Sequence, residues 1–320
     1  MTVIHPGTLE EAVIHDGEYR AGGTDVEARR RSGLTRDVTI DLRHVPELTG
    51  IDRSADGTRI GAMTRVTALA RELGDYPAVS QTAASLANPH TRSVGTIGGN
   101  LLQQTRCWYF RTGDVDCFKT GGEGCPARAG IHHFGNVFDT SSCVAPHPSS
   151  LAVAFLLYDA VAATHPGGDR LVADLYDEVD PTTEHTLGRD VLISVSLPVA
   201  IEDEWGAYRR ATARSLAEWP LVEAACRLGV ADGRIELARV AAGGVAPVPV
   251  RLRAVEEALE GAPAEPASLA AAAALAASGA RPAPQAAYKV RLVEGTVLEV
   301  LERALAGDDS TEASEHERPL

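Results

Sequence analysis

The chain has 320 residues and a formal net charge of −14. That length allows two or three sub-domains, each with its own core, and the acidic balance excludes a nucleic-acid partner because no basic stripe neutralises phosphates. The apolar stretches are far shorter than the roughly 20 residues that cross a bilayer, and the start of the sequence lacks a secretory pattern. We therefore expect a cytoplasmic protein without a membrane partner.

The first hundred residues predict alternating helices and strands. "LEEAVIHDG" predicts a helix, "DVTIDLRHV" and "TRIGAMTRV" predict strands, and "TALARELGDYPAVSQTAASLA" predicts two helices joined by a turn. From Arg92 to Ser150 the helical pattern disappears, and a loop region that long indicates a scaffold or a function of its own. Beyond it, "SLAVAFLLYDAVAAT" predicts a helix leading into a strand, and "VLISVSLPVA" predicts a strand.

The pattern changes at about Glu202. There we predict a strand in "EWGAYRRATAR", a helix in "AEWPLVEAACRLGV", a strand in "RIELARVAAGGV" and a helix in "RLRAVEEALEG". "APAEPASLAAAAALAASGARPAP" predicts a helix with flexible flanks, and "VRLVEGTVLEVLERAL" predicts a final amphipathic helix. These elements indicate a smaller α+β domain, followed by an acidic, disordered tail over residues 307–320.

Two glycine pairs stand out, in "RAGGTDV" (Arg20 to Val26) and "TIGGN" (Thr96 to Asn100). Neither is a dinucleotide fingerprint or a P-loop. Each can form a tight turn whose backbone N–H groups face a diphosphate, because glycine accepts positive φ and close approach. Each can equally be an ordinary turn, so the pattern alone leaves both interpretations open.

Four of the five cysteines, Cys107, Cys117, Cys125 and Cys143, are separated by nine, seven and seventeen residues. The paired spacing of structural zinc sites and the close spacing of ferredoxins are both absent. Soft thiolates in an irregular segment still suit an iron–sulfur cluster or zinc, and unligated thiols are the alternative. We expect Cys226, in "LVEAACRL", to be a buried core thiol.

Read together, "AGGTDV", "TIDLRHVPELTGI", "RIGAMTRVTALA" and "TRSVGTIGGN" closely resemble the FAD-binding subunit of the xanthine dehydrogenase, or molybdenum hydroxylase, family. The resemblance continues through "HPSSLAVAFLLYDA", "VLISVSLP" and "AYRRATARSLAEWPLVEAA". It implies an α+β fold with a two-lobed FAD-binding domain of the PCMH type over residues 1–200. The lobes would span about 1–50 and 51–200, with a cysteine-bearing insertion over 103–146, and a smaller α+β C-terminal domain would span 201–306.

The resemblance also implies the FAD contacts. The diphosphate would lie against both glycine motifs, and Leu192 in "VLISVSLP" would also contact the cofactor. Two positions depart from the family pattern: Ser150 stands where an Asp is usual, and Arg210 where a Lys is usual. The implied cofactor-binding residues are Ala21, Gly22, Gly23, Thr24, Asp25, Thr96, Gly98, Gly99, Asn100, Ser150, Leu192 and Arg210.

A subset of the family carries a similar insertion, whose four cysteines bind a [4Fe–4S] cluster close to the FAD. That subset includes the 4-hydroxybenzoyl-CoA reductase medium subunit and the bacterial aldehyde oxidoreductase flavin subunit. All four positions match here, so the resemblance assigns Cys107, Cys117, Cys125 and Cys143 as cluster ligands.

The resemblance predicts an electron-transfer flavoprotein subunit in which no side chain acts as a catalytic acid or base. Its partners would be a molybdenum-cofactor-binding large subunit and a [2Fe–2S] small subunit, with a small-molecule electron acceptor. One alternative is a stand-alone FAD/iron–sulfur oxidoreductase that acts directly on a small substrate or NADH. Another is a non-catalytic scaffold with a structural metal.

Overall fold

The computed structural model describes residues 2–177 and 179–307. The tail predicted over 307–320 lies outside the described residues from position 308 onward. The strands are β1 (Thr2–Ile4), β2 (Glu18–Arg20), β3 (Val38–Asp41), β4 (Ile51–Ser54), β5 (Gly57–Gly61), β6 (Val161–His165), β7 (Gly168–Leu171), β8 (Val191–Leu197), β9 (Trp205–Ala211), β10 (Val222–Ala231), β11 (Arg234–Gly243) and β12 (Val250–Arg251).

The α-helices range from four to eighteen residues in length. They are α1 (Leu9–Val13), α2 (Val26–Arg31), α3 (Val66–Glu72), α4 (Pro77–Ser85), α5 (Pro89–Val94), α6 (Ile97–Leu101), α7 (Trp108–Arg111), α8 (Pro126–Ala129), α9 (Ser150–Leu156), α10 (Arg253–Leu259), α11 (Pro266–Ala273) and α12 (Lys289–Ala306). Within the described part of the chain, no helix has the length and apolar character needed to cross a bilayer.

The first sheet is small and parallel, in the order β1-β3-β2. Parallel neighbours need a crossover connection, and α1 and α2 supply it. The Thr8 side chain accepts a hydrogen bond from the Glu11 N–H and begins α1. Leu9, Ile40 and Leu48 are buried together beneath this sheet.

The second sheet is antiparallel, in the order β4-β5-β8-β6-β7. Helices α3, α4 and α9 belong to the same core, which contains the fully buried side chains of Tyr76, Leu151 and Phe155. Burying side chains of this size contributes about 1.5–3 kcal/mol each. The helix–turn–helix predicted before Leu86 and the helix-to-strand transition predicted after Ser150 are confirmed.

The third sheet is an antiparallel meander in the order β12-β11-β10-β9. Here the helix predicted in "AEWPLVEAACRLGV" is wrong, because the segment forms β10. Every residue from Val222 to Leu228 is buried: α12 packs on one face of the sheet, and α4 and α9 contact the other. A strand buried on both faces lacks the polar alternation that distinguishes strands from helices. Cys226 is buried as predicted, but in this strand.

The segment between α6 and α9 contains the cysteines and two helices of four residues each, α7 and α8. It packs against the C-terminal domain: the Val137 and Phe138 N–H groups donate to the Val245 carbonyl. The Lys289 ammonium is buried and donates to the carbonyls of Phe134, Gly135 and Gly244 at 3.2, 3.0 and 2.9 Å. The insertion is therefore attached to the C-terminal domain by hydrogen bonds in both directions.

Candidate functional site

The first glycine turn follows β2 and lies directly against the start of the second motif. A Cβ atom on Gly22 would meet the Val94 carbonyl oxygen at 2.0 Å, so no side chain fits there. Gly23 has φ of +81°, the left-handed region that favours glycine. Within the described residues, the backbone N–H groups of Gly22, Gly23, Thr24 and Asp25 have no hydrogen-bond acceptor. This turn therefore offers donors to a ligand.

The second glycine pair is held differently: Gly98 and Gly99 lie in α6, so the tight turn predicted for them is wrong. Thr96 caps α6, and its hydroxyl accepts a hydrogen bond from the Gly99 N–H at 3.1 Å. The Ile97 and Gly98 N–H groups donate to the carbonyls of Thr64 and Ala62. These groups are already used in packing α6 against the chain at Ala62 and Thr64. We conclude that this glycine pair supplies close backbone approach and shape, whereas the first turn supplies the free donors.

The two glycine motifs meet at a cavity of about 680 Å³, within the range of cofactor sites. Eight of the predicted cofactor contacts line it: Ala21, Gly22, Gly23, Thr24, Asp25, Gly98, Gly99 and Leu192. The wall also includes residues that no sequence motif marked, from the chain around Tyr19, Arg36 and His185. Since they come from distant segments without a shared spacing, only the fold reveals them.

The arginines around this cavity are engaged in ion pairs. Arg36 and Arg189 share Asp16, at 2.9 and 2.7 Å, and Arg29 pairs with Glu18. Among the described residues, no arginine in the lining of this cavity is without a carboxylate partner. The free N–H groups of the first glycine turn therefore become the available anion-binding groups.

Asp25 is enclosed by three arginines. Its carboxylate pairs with Arg29, Arg106 and Arg111 at 2.9, 2.9 and 2.8 Å. Burial alone would raise the pKa of Asp25, but the Arg106 and Arg111 guanidiniums hold it below its ordinary value. Arg106 and Arg111 lie on either side of Cys107, so their ion pairs with Asp25 connect the first glycine turn to the cysteine segment.

Four predicted contacts lie outside the lining of the cavity. Thr96 caps α6, and Asn100 connects α6 to the start of α9. The side-chain oxygen of Asn100 accepts hydrogen bonds from the Ser149 hydroxyl and the Leu151 N–H. Ser150 and Arg210 are buried near the Tyr208–Glu223 pair, between the flavin domain's α9 and the C-terminal sheet. Their assignment as flavin contacts stays a prediction.

All four insertion cysteines line a second, much smaller cavity of about 10 Å³, room for about one water. Cys107 and Cys125 stand directly before α7 and α8. Over residues 2–177 and 179–307, no three His, Cys, Asp or Glu side chains are placed to hold one metal ion. The thiols therefore share a cavity without converging on a single ion.

Backbone N–H groups surround these sulfurs. A hydrogen bond from Cys143 lowers the pKa of Cys125, and the N–H groups of Val144, Arg128 and Ala127 lower it further against the effect of burial. The same pairing raises the pKa of Cys143. Burial raises the pKa of Cys107, opposed by the Phe110 and Tyr109 N–H groups. This environment favours at least one thiolate, the form that binds metals.

The two cavities share a wall. Phe110 and Lys119 line both of them. The Lys119 ammonium donates to Glu184 at 3.0 Å and to the Thr183 carbonyl at 2.8 Å. Burial lowers the pKa of His185, which lines the larger cavity, to about 4, and the Lys119 charge acts in the same direction. The positive charge of Lys119 therefore acts on a group in the wall of the larger cavity.

Comparison with known protein families identifies the family of this chain. A family described as "FAD binding domain in molybdopterin dehydrogenase" matches residues 2–200, and "CO dehydrogenase flavoprotein C-terminal domain" matches residues 206–304. The chain belongs to this family of flavin subunits. The aldehyde oxidoreductase FAD-binding subunit PaoB of Escherichia coli K12 is 35% identical over 311 residues, 92% of this chain and 93% of PaoB. The xanthine dehydrogenase FAD-binding subunit of Escherichia coli O157:H7 is 24% identical over 251 residues, 76% and 72% of the two chains.

Solved structures confirm the predicted fold. A chain of quinoline 2-oxidoreductase from Pseudomonas putida 86 superposes with a TM-score of 0.74 at 20% identity, over 96% of this chain and 97% of that one. A chain of Cu,Mo-CO dehydrogenase superposes with 0.74 at 22%, over 95% and 97%. The two-domain α+β architecture is thus confirmed, as are the predicted membership of an oxidoreductase flavin-subunit family and its FAD-binding domain. The comparisons establish membership of the family, and they do not show membership of the subset whose insertion binds a [4Fe–4S] cluster.

The residues present fit FAD in the family's domain. The cavity has suitable volume, and the first glycine turn in its wall has no room for a side chain at Gly22 and carries unpaired backbone donors. The donor set of the smaller cavity fits an iron–sulfur cluster in its chemistry, since four cysteines face one space. It does not fit a single metal ion as it stands.

Proposed function

We propose that this chain is the electron-transfer flavin subunit of a molybdenum-hydroxylase-type complex, with FAD in the larger cavity and a [4Fe–4S] cluster on Cys107, Cys117, Cys125 and Cys143. The observation that carries the proposal is the common wall of the two cavities, made by Phe110 and Lys119. A flavin, when bound, exchanges either one or two electrons and so connects one-electron centres with two-electron chemistry.

For the flavin, the chain supplies position and shape. The first glycine turn donates free N–H groups to the diphosphate, and the two lobes approach through Gly22 and Val94. Leu192, which is buried, gives the wall an apolar surface. We assign no acid or base role to any side chain, so transformation of the organic substrate belongs to a partner subunit.

For the cluster, the chain supplies four sulfurs and the N–H groups around them. Each cysteine of a four-iron cluster binds a different iron, so its ligands need not converge on one point. The space of about 10 Å³ must widen when iron enters. α7 and α8 are each only one turn long, so irregular loops supply most of the backbone that would have to move.

The partners we propose are a molybdenum-cofactor-binding large subunit and a [2Fe–2S] small subunit, with an external small-molecule acceptor. CO dehydrogenase and PaoB, to which this chain is similar, are respectively described as a Cu,Mo enzyme and as an FAD-binding subunit of an aldehyde oxidoreductase. Electrons would pass between the partner centres, the FAD and the acceptor.

The test is to purify the chain anaerobically with its partners and to measure flavin, iron and the visible spectrum of the chain. We expect one FAD and about four irons in addition to the partners' content. In Cys117→Ser, iron should fall by about four while FAD is retained, whereas Cys226→Ser should keep both because Cys226 lies in the C-terminal sheet. Unchanged iron in Cys117→Ser contradicts the cluster, and a wild-type complex without FAD contradicts the whole proposal.

A further inference from the structure

The chain contains 28 arginines and only two lysines, Lys119 and Lys289. Both lysines are withdrawn from solvent: the Lys119 side chain is 8% exposed and Lys289 is 1% exposed. Arginine presents a wide planar fork, whereas lysine presents a compact charge that fits a narrow space. Both lysines of the chain thus occur at positions where the protein encloses the side-chain ammonium group.

Lys119 is the one charged side chain that lines both cavities, among the residues the structure describes. Its carboxylate partner, Glu184, lines neither cavity and is 4% exposed. Glu184 is fixed in turn by the Thr105 N–H at 3.1 Å. The pair is therefore fixed in orientation, with Lys119 at the common wall and Glu184 behind it.

We propose that the oriented Lys119–Glu184 pair sets the reduction potentials of the centres on either side of the wall, which makes Lys119 a positioning residue for electron transfer. This inference rests on the proposed function, since it needs a flavin in the larger cavity. Reduction adds negative charge to a centre, and a buried cation nearby favours the reduced form because little solvent screens it. The carboxylate behind it moderates the effect.

The experiment measures the flavin midpoint potential by spectroelectrochemical titration of the purified complex at pH 8. Lys119→Met should shift the potential in the negative direction, since the cation is lost and Glu184 is left unbalanced. Glu184→Gln should shift it in the positive direction, and the double variant should return towards the wild type. Shifts of opposite sign identify a charge effect, because mere loosening of the wall has no reason to reverse sign between the two variants.

Two controls accompany these variants. Lys119→Arg keeps the charge and should restore most of the wild-type potential, and Lys289→Met removes the other buried lysine, which lines neither cavity, and should leave the potential unchanged. If Lys119→Met purifies without FAD, the comparison uses the other two variants: the potential should shift in the positive direction in Glu184→Gln and stay near the wild-type value in Lys119→Arg.

The outcomes separate the two claims. A wild type without flavin overturns the proposed function itself. A flavin-loaded set of variants whose potentials do not move, or move with the same sign in Lys119→Met and Glu184→Gln, overturns only the inference.

Discussion

At the scale of single residues, the site depends on what side chains are absent and what charges are enclosed. Gly22 leaves room for the Val94 carbonyl, and Asp25 joins three guanidiniums that come from two distant segments. The sequence marked both residues through the "AGGTD" motif. It did not reveal the Asp25 partners, since Arg106 and Arg111 lie some eighty positions away and no local spacing connects them.

Gly22→Ala should weaken FAD binding and stability together. A Cβ atom at 2.0 Å from the Val94 carbonyl forces the two lobes apart, and overpacking of this kind costs about 1–3 kcal/mol. FAD content after purification and the thermal midpoint measure the two effects. Gly74→Ala is the matched control, since no atom lies within 4 Å of a Cβ atom there. Equal FAD content in the two variants would contradict the role of the turn.

Asp25→Asn should lower stability by about 3–5 kcal/mol, because it leaves the surrounding guanidiniums without their buried counter-charge. The folded pKa of Asp25 lies below its unfolded value, so its contribution is present above pH 4 and is lost as pH falls through the folded pKa. Denaturant titrations from pH 7 to pH 3 test this. Between pH 7 and pH 3 the free energy of unfolding should fall less in the variant than in the wild type. An equal fall in both proteins would contradict the role assigned to the Asp25 carboxylate.

At the scale of elements, the sequence predicted most of the helices and strands and failed at β10, a strand buried on both faces. The helix predicted in "AEWPLVEAACRLGV" carries good helix formers, Ala, Glu, Leu and Arg, yet it forms β10 between α12 and the flavin domain. Tertiary burial overrode local propensity. The cysteine insertion lacked any predicted element, and its short helices α7 and α8 are too brief for a periodic pattern to show.

The attachment of the insertion to the C-terminal domain should depend on pH through Lys289. Burial lowers the pKa of Lys289 to about 7, below the unfolded value, so the unfolded state binds more protons between pH 7 and about 10.5. Stability should therefore rise with pH in that window, by up to about 1.4 kcal/mol per unit. Lys289→Met should remove this slope. Urea unfolding at pH 7, 8.5 and 10 measures it, and an identical slope in the variant would refute it.

At the scale of the whole molecule, three sheets form two domains, and the larger cavity opens where the lobes of the first domain meet. The sequence anticipated this architecture through its ordered motifs. It could not anticipate that the cysteine cavity and the larger cavity share a wall, because Lys119 and Glu184 meet across 65 positions and Phe110 precedes them both. Ion pairs of that separation leave no pattern in a single sequence.

FAD should stabilise the whole molecule, since the cavity proposed for it is lined by both glycine motifs, which separate on unfolding. A ligand specific for the folded state contributes about 2.7 kcal/mol at a concentration one hundred times its Kd. The thermal midpoint of flavin-free protein should thus rise with added FAD and rise less with FMN, which lacks the diphosphate link. Differential scanning fluorimetry over a concentration series tests this, and an equal response to FMN would exclude the first glycine turn as the diphosphate site.

The scarcity of lysine has a practical consequence. In the folded protein the two side-chain amines are enclosed, Lys119 by Glu184 and Thr183, and Lys289 by three carbonyls. Reagents that acylate amines therefore find almost no side-chain target until the structure opens. Counting acyl groups on these two lysines by mass spectrometry would report separately on the opening of the wall between the cavities and on the release of the insertion from the C-terminal domain.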